Sequence, residues 1–280
     1  MVFFLYVFFI HCFTAVGGIL AGMKKWDEIM SILQTSHPRT LDHCPGVALM
    51  LCENAQYHAL QLLLSHAVDI DIQELQGVIT MLVQGSDTDL RVSRQSFRKS
   101  LLETADAFVK HAEKVKKDEA RYQACIAAAA VDGFSSRQIT CHALACLSAD
   151  SVTIIAALRR THSQSLTYLF KYFIQWAKNL TTFDVLSGGT VEKKGVSITC
   201  PTYEATIRWL SMILDAANLR AAHVPAVIET LNGARYEIAS QIQSIKGLTG
   251  VKGLLSHIRS GAPLHDANKA NGLSIECLSL

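Results

Sequence analysis

No C-x-x-C pair occurs among the eight cysteines of this sequence, Cys12, Cys44, Cys52, Cys125, Cys141, Cys146, Cys200 and Cys277. That removes the usual ligand spacing of a zinc site, and their dispersal through apolar segments is unlike the dense usage of a secreted disulfide scaffold. They read as buried thiols of a reducing compartment, cytosol or nucleus. Charge is also scarce: 18% of residues are charged, and 26 basic against 24 acidic residues leave a net charge of +2. This balance gives no global reason to expect nucleic acid or an acidic substrate. With half of the residues apolar, the composition is that of a chain that folds.

Phosphate-binding loops are missing as well. There is no G-x-x-x-x-G-K-[ST], and Gly247, Gly250 and Gly253 read as a turn between helices. Nothing resembles a nucleophile elbow. His142 and Cys146, four apart on one helical face, are a local metal-ligand pair, but zinc needs a second pair, so a small apolar face is favoured. His43-Cys44 and Cys52 fare no better. The expectation is a non-enzymatic protein without cofactor or metal.

The first 22 residues are uncharged apart from the terminal amine and are followed by Lys24 and Lys25. About 20 apolar residues suffice to span a bilayer. Three readings fit: a transmembrane anchor with a cytoplasmic C-terminal side, a signal peptide lacking a basic n-region, or a false start. Asn179-Leu180-Thr181 forms a glycosylation sequon that matters only in a lumenal reading.

From Met23 onward the pattern is helical, with no convincing alternating strand. Asp71 with Glu74 three residues later resembles a capping box opening a helix with Leu75, Val78, Ile79 and Leu82 inside, and Gly85 with Asp87 forms a turn. Residues 91–131 contain neither Gly nor Pro and predict one long helix, stopped by Asp132-Gly133. Shorter helices follow at 136–147 and 150–160. The stretch S-L-T-Y-L-F-K-Y-F-I-Q-W-A-K-N-L, residues 165–180, is amphipathic on a helical wheel. Leu166, Leu169, Phe170, Phe173, Trp176, Ala177 and Leu180 share one half. Tyr168, Lys171, Gln175, Lys178 and Asn179 lie opposite, which excludes a membrane span.

The divisions expected are an apolar segment at 1–22, a helical domain at 23–183, an exposed linker at 184–200, a second helical part at 201–262 and a tail at 263–280. Helices are expected there at 202–218, 225–246 and 251–259. The fold class is all-α, an irregular helical bundle or a solenoid-like stack of helix pairs, with an apolar N-terminal helix.

Between Arg91 and Arg121 nine Lys or Arg stand against five Asp or Glu. Arg91, Arg94, Arg98, Lys99, Lys114 and Lys117 are the candidate RNA contacts, weighed against an ordinary solvated face with i,i+4 ion pairs, which is favoured.

Four stretches together resemble the C-terminal helical region of the nucleolar protein 11-like family. They are H-C-P-G-V-A-L-M-L-C-E-N-A-Q-Y-H-A-L-Q-L-L-L from His43, S-L-T-Y-L-F-K-Y-F-I-Q-W-A-K from Ser165, P-T-Y-E-A-T-I-R-W-L-S-M-I-L-D-A from Pro201, and the terminal L-S-I-E-C-L-S-L. Ala217-Asn218, Cys277 and Ser279 depart from the family pattern. The resemblance implies a small-subunit processome component that acts without catalysis in rRNA transcription and early pre-rRNA processing. It also implies a C-terminal portion without the family's β-propeller, a nucleolar location, and other processome proteins as partners, with RNA contact indirect. The residues expected to dock on a partner are Leu273, Ile275, Leu278 and Leu280, because an exposed apolar tail has little other reason to be apolar. The competing expectation is a membrane-anchored helical protein.

Overall fold

The computed structural model describes residues 45–85, 87–193 and 196–221, together with residues 26, 28, 29, 31 and 33. The 1–22 helix, the helices expected at 225–246 and 251–259, and the 263–280 tail with its four partner residues lie outside them. Contacts divide the chain into Met1–Thr230 and Leu231–Leu280, and every described residue belongs to the first unit.

The described residues are mostly helical: α1 Val47–Glu53, α2 Tyr57–His66, α3 Ile72–Gln84, α4 Asp87–Val115, α5 Asp118–Val131, α6 Ser136–Thr140, α7 His142–Ala145, α8 Ser151–Arg160, α9 Ser163–Thr182 and α10 Tyr203–Ala221. One hairpin, β1 Gly189–Lys193 and β2 Val196–Cys200, is inserted before α10. The all-α class expected from periodicity is therefore the one found, as an irregular bundle. In it α3 packs on α1, α8 and α9, while α9 also meets α5 and α10.

Helix α3 starts as the sequence suggests, with the Asp71 carboxylate accepting from the backbone N–H groups of Gln73 (2.7 Å) and Glu74 (3.2 Å). Glu74 does not close a capping box. Its carboxylate, buried with the residue 8% exposed, accepts instead from the Ala48 backbone N–H at 2.8 Å. A position that would satisfy one orphan donor of its own helix satisfies one of α1, and so ties the two helices together. The complete capping box lies at α6, where Ser135 and Gln138 exchange bonds.

The helix expected at 91–131 is two. Helix α4 begins at Asp87, four residues early, and the chain reverses at Lys116, whose φ is 50°. Acidic Asp118 and Glu119 occupy the first turn of α5, where they complement the helix dipole. The cause is tertiary. A continuous helix would leave the α4 stripe of Leu101, Ala105, Phe108 and Ala112 without the cover that the alanines of α5 give it after the reversal, while Phe97 packs on Tyr57 and His58 of α2. Ala112, Ala120 and Ala124 form one buried cluster at the turn, and side chains this small let the two backbones approach. A left-handed non-glycine residue costs about 1–2 kcal/mol, and glycine loses part of that advantage through chain entropy. Lys116→Gly is therefore expected to stabilise the protein by about 0.5–1 kcal/mol. A higher denaturant midpoint at unchanged slope checks it.

The expected exposed linker contains the hairpin. Its register pairs Thr190 with Thr199 and Val191 with Ile198. Val191, Ile198 and Cys200 are buried as the hairpin packs on α5, and the two threonine hydroxyls meet at 3.1 Å on the outer side. Gly188 has a φ of 65°, and a Cβ there would lie 2.7 Å from the Cys200 carbonyl oxygen. Gly188, one of the glycines that read as an exposed connection, is thus what lets the chain close against Cys200 and Pro201.

Candidate functional site

The aromatic helix α9 follows its wheel closely. Leu166, Leu169, Phe170, Phe173, Trp176, Ala177 and Leu180 are buried, and Lys171 and Lys178 are exposed. Trp209 of α10 stacks on Phe173 with centroids 4.9 Å apart and planes at 13°. Phe134 lies 4.9 Å from Trp176, edge-on to His142 at the same separation. Rings at these distances add about 0.5–1.5 kcal/mol each beyond their burial. The seam is a packing interface at the centre of the unit.

Two polar groups are set into it. His142 is 4% exposed and uses both ring nitrogens. Nε2 lies 2.7 Å from the Ala130 carbonyl oxygen, an obligate acceptor, so Nε2 carries the proton and donates. Nδ1 is then the acceptor, taking the Tyr172 hydroxyl proton at 2.8 Å. The Tyr172 oxygen accepts in turn from Trp176 Nε1–H at 2.7 Å. Each donor in this chain has an acceptor, and the tautomer of the imidazole is fixed. Burial pushes the His142 imidazole down to about 4, although the bond to Ala130 opposes the shift. Burial raises the Tyr172 phenol.

A hydroxyl bonded to an imidazole is the geometry of an activated nucleophile. Here both groups are sealed in the interior and His142 is held neutral, so the pair orders the core. The second nitrogen that a metal would need is occupied by Ala130. Cys146, its candidate partner, accepts from Gln61 Nε2 at 3.7 Å. Among the described residues no group of three or more His, Cys, Asp or Glu is placed to hold a metal. Cys52, Cys125, Cys141, Cys146 and Cys200 are free thiols, and burial pushes Cys52 and Cys141 up to about 12.

The wheel fails at Asn179, which is 2% exposed. Its amide donates to the carbonyls of Ala129 (3.0 Å) and Asp132 (2.7 Å), and its oxygen accepts from Gln175 at 2.7 Å. With His142 on Ala130, side chains of α9 and α7 satisfy the carbonyls that α5 leaves open at its end.

Two of the six basic candidates, Arg94 and Arg98, are drawn into the fold. Arg94 is 2% exposed, and its guanidinium donates to the carbonyls of Met81, Leu82 and Gly85 at 3.3–3.4 Å. Arg137, which sequence reading did not single out, donates to Val83 at 3.2 Å. Two arginines thus cap the C-terminal turn of α3, where positive charge also complements the dipole. Arg94, a candidate RNA contact that either reading of the basic run would place at the surface, is an interior cap instead. Half-buried Arg98 donates to the Phe134 carbonyl at 3.3 Å. Arg91, Lys99, Lys114 and Lys117 are exposed, and Lys99 lies 3.8 Å from Glu103 one turn on. Asp106, Lys110 and Glu113 fall on the same side of α4 as Lys99 and Lys114, giving a mixed-sign solvated face.

An open cleft of about 550 Å³ lies between the end of α3, α6 and the start of α9, lined by Gln84, Arg137, His162, Gln164, Ser165 and Tyr168. Its groups bond one another: Gln84 to Ser165 at 2.5 Å, and His162 Nδ1 to the Gln164 backbone N–H at 3.4 Å.

No described helix is long and apolar enough to cross a membrane. No protein-family profile matches the chain, and no curated protein matches it either.

Proposed function

We propose that the protein is a non-enzymatic helical scaffold, resembling the C-terminal region of a nucleolar protein 11-like ribosome-biogenesis factor. It would act in rRNA transcription and early pre-rRNA processing by assembling with other processome proteins. The observation that supports this reading most is where the resembling stretches fall. The first covers α1 and α2, the second α9 and the third α10, and α9 and α10 meet through Phe173 and Trp209. The second and third stretches are therefore partners in one core. Polar groups that could have served chemistry are engaged in the packing: His142, Asn179 and Arg94 hold helix ends, and Tyr172 links His142 to Trp176. Any RNA contact falls to the exposed Arg91, Lys99, Lys114 and Lys117 and is secondary to protein assembly.

The test is localisation and co-purification of the full chain, with and without residues 272–280. Nucleolar signal and association with processome proteins that is lost on deletion of Leu273, Ile275, Leu278 and Leu280 support the proposal. Unchanged association removes the tail from it. Retention in membranes after carbonate extraction would instead select the anchor reading carried by the uncharged residues 1–22.

A further inference from the structure

Asn179-Leu180-Thr181 is the single N-x-S/T match in the chain, and its asparagine points inward. N-linked glycan transfer joins the asparagine Nδ2 to the anomeric carbon of a lipid-linked oligosaccharide. The lipid pyrophosphate departs, and Nδ2 gives up one of its two protons. In this fold both of those protons are engaged. They lie on the Ala129 carbonyl at 3.0 Å and the Asp132 carbonyl at 2.7 Å, at the end of the helix on which α9 packs. Gln175 holds the amide oxygen at 2.7 Å and so fixes which way the group is turned. A sugar on Nδ2 would break at least one of these bonds and occupy the space of the last turn of α5, because Asn179 is only 2% exposed.

We propose that a glycan at Asn179 and this fold exclude each other. Folding protects the sequon once α9 has docked on α5. Transfer to the nascent chain, before docking, diverts that chain from the fold. The sequon therefore separates two histories of one sequence: chains that fold where no oligosaccharide is transferred, and chains marked on entry to a lumen where it is. The inference holds whether or not the nucleolar reading does, because it rests on α5 and α9 alone.

Thr181 provides the control. Its hydroxyl bonds only to carbonyls of its own helix, Ala177 at 3.0 Å and Lys178 at 2.8 Å, so Thr181→Ala removes the sequon and leaves the Asn179 bonds in place. The full chain, carrying an added exposed N-x-T sequon at its end to report transfer, is used in two ways. Purified and folded, it is offered to solubilised oligosaccharide transferase with lipid-linked oligosaccharide. Separately, it is translated behind a cleavable secretory signal in the presence of microsomes. Wild-type chains from both arms are compared with Thr181→Ala by endoglycosidase-sensitive gel shift before and after limited proteolysis. The folded chain is expected to gain the reporter glycan alone. Chains that gain a second glycan during translation are expected to be cut at least about tenfold faster than Thr181→Ala chains. A protease-resistant chain with a glycan at Asn179, in either arm, overturns the proposal.

Discussion

Arg94→Ala is expected to destabilise the protein by about 3–5 kcal/mol, the range for emptying a large buried side chain together with the hydrogen bonds it makes. For a domain of this size that is a fall in Tm of roughly 6–20 °C. The side chain is 2% exposed and donates to Met81, Leu82 and Gly85, so truncation removes the side-chain cap from the end of α3, where among the described residues only the Met81 carbonyl keeps a backbone partner, the Gly85 N–H at 2.9 Å, and opens a cavity the size of the arginine stem. Lysine is a poor substitute, because a single ammonium lacks the planar fork that reaches three carbonyls. Lys99→Ala, on the same helix but exposed and paired only with Glu103, should change stability by less than about 0.5 kcal/mol. An RNA-contact role for Arg94 predicts the opposite ranking: a stable variant with weakened binding. Denaturant midpoints of Arg94→Ala, Arg94→Lys and Lys99→Ala decide between them.

That contrast shows where the sequence is readable and where it is not. Arg94 and Lys99 sit in one basic run and look equivalent as letters, and their fates are set by α3, which arrives from outside the run. The apolar spacing of α3 and α9 and the cap at Asp71 are local signals, and the structure follows them. The break at Lys116 is marked by neither Gly nor Pro, and the mutual burial of α4 and α5 explains it. Asp118-Glu119 could have hinted at a new helix start. The hairpin was hidden because Val191 and Ile198 are too few to make a visible alternation beside three glycines and a charge cluster. Asn179 on the polar side of the wheel was misplaced for a related reason. A wheel separates polar from apolar, but the open end of α5 requires a buried polar group.

Tyr172→Phe, a change of one oxygen atom, is expected to cost about 2–4 kcal/mol. The hydroxyl is the only partner described for two buried atoms, giving its proton to His142 Nδ1 and accepting from Trp176 Nε1–H. Removing it leaves an acceptor and a donor unsatisfied in the interior at about 1–3 kcal/mol each, partly offset by the lower desolvation cost of phenylalanine. The same network sets an acid limit. His142 is pushed down to about 4 in the folded protein from an ordinary value of 6.5, so the unfolded chain binds this proton more readily than the folded one. Stability from this group is complete above pH 6.5, falls as the pH drops toward 4, and is lost below it, by about 3 kcal/mol in all. Burial lowers His58 as well, so its contribution has the same sign. Protonation would also turn Nδ1 into a donor facing the Tyr172 hydroxyl, which already receives Trp176 Nε1–H. The hydroxyl would then have to turn its own proton away from Nδ1, a conflict that adds to burial, which is the main cause of the low value. Unfolding free energies of wild type, Tyr172→Phe and His142→Gln between pH 4 and 8 test the argument. His142→Gln should lose the larger part of the acid slope, and a wild-type slope that survives this substitution would assign the acid limit to other groups.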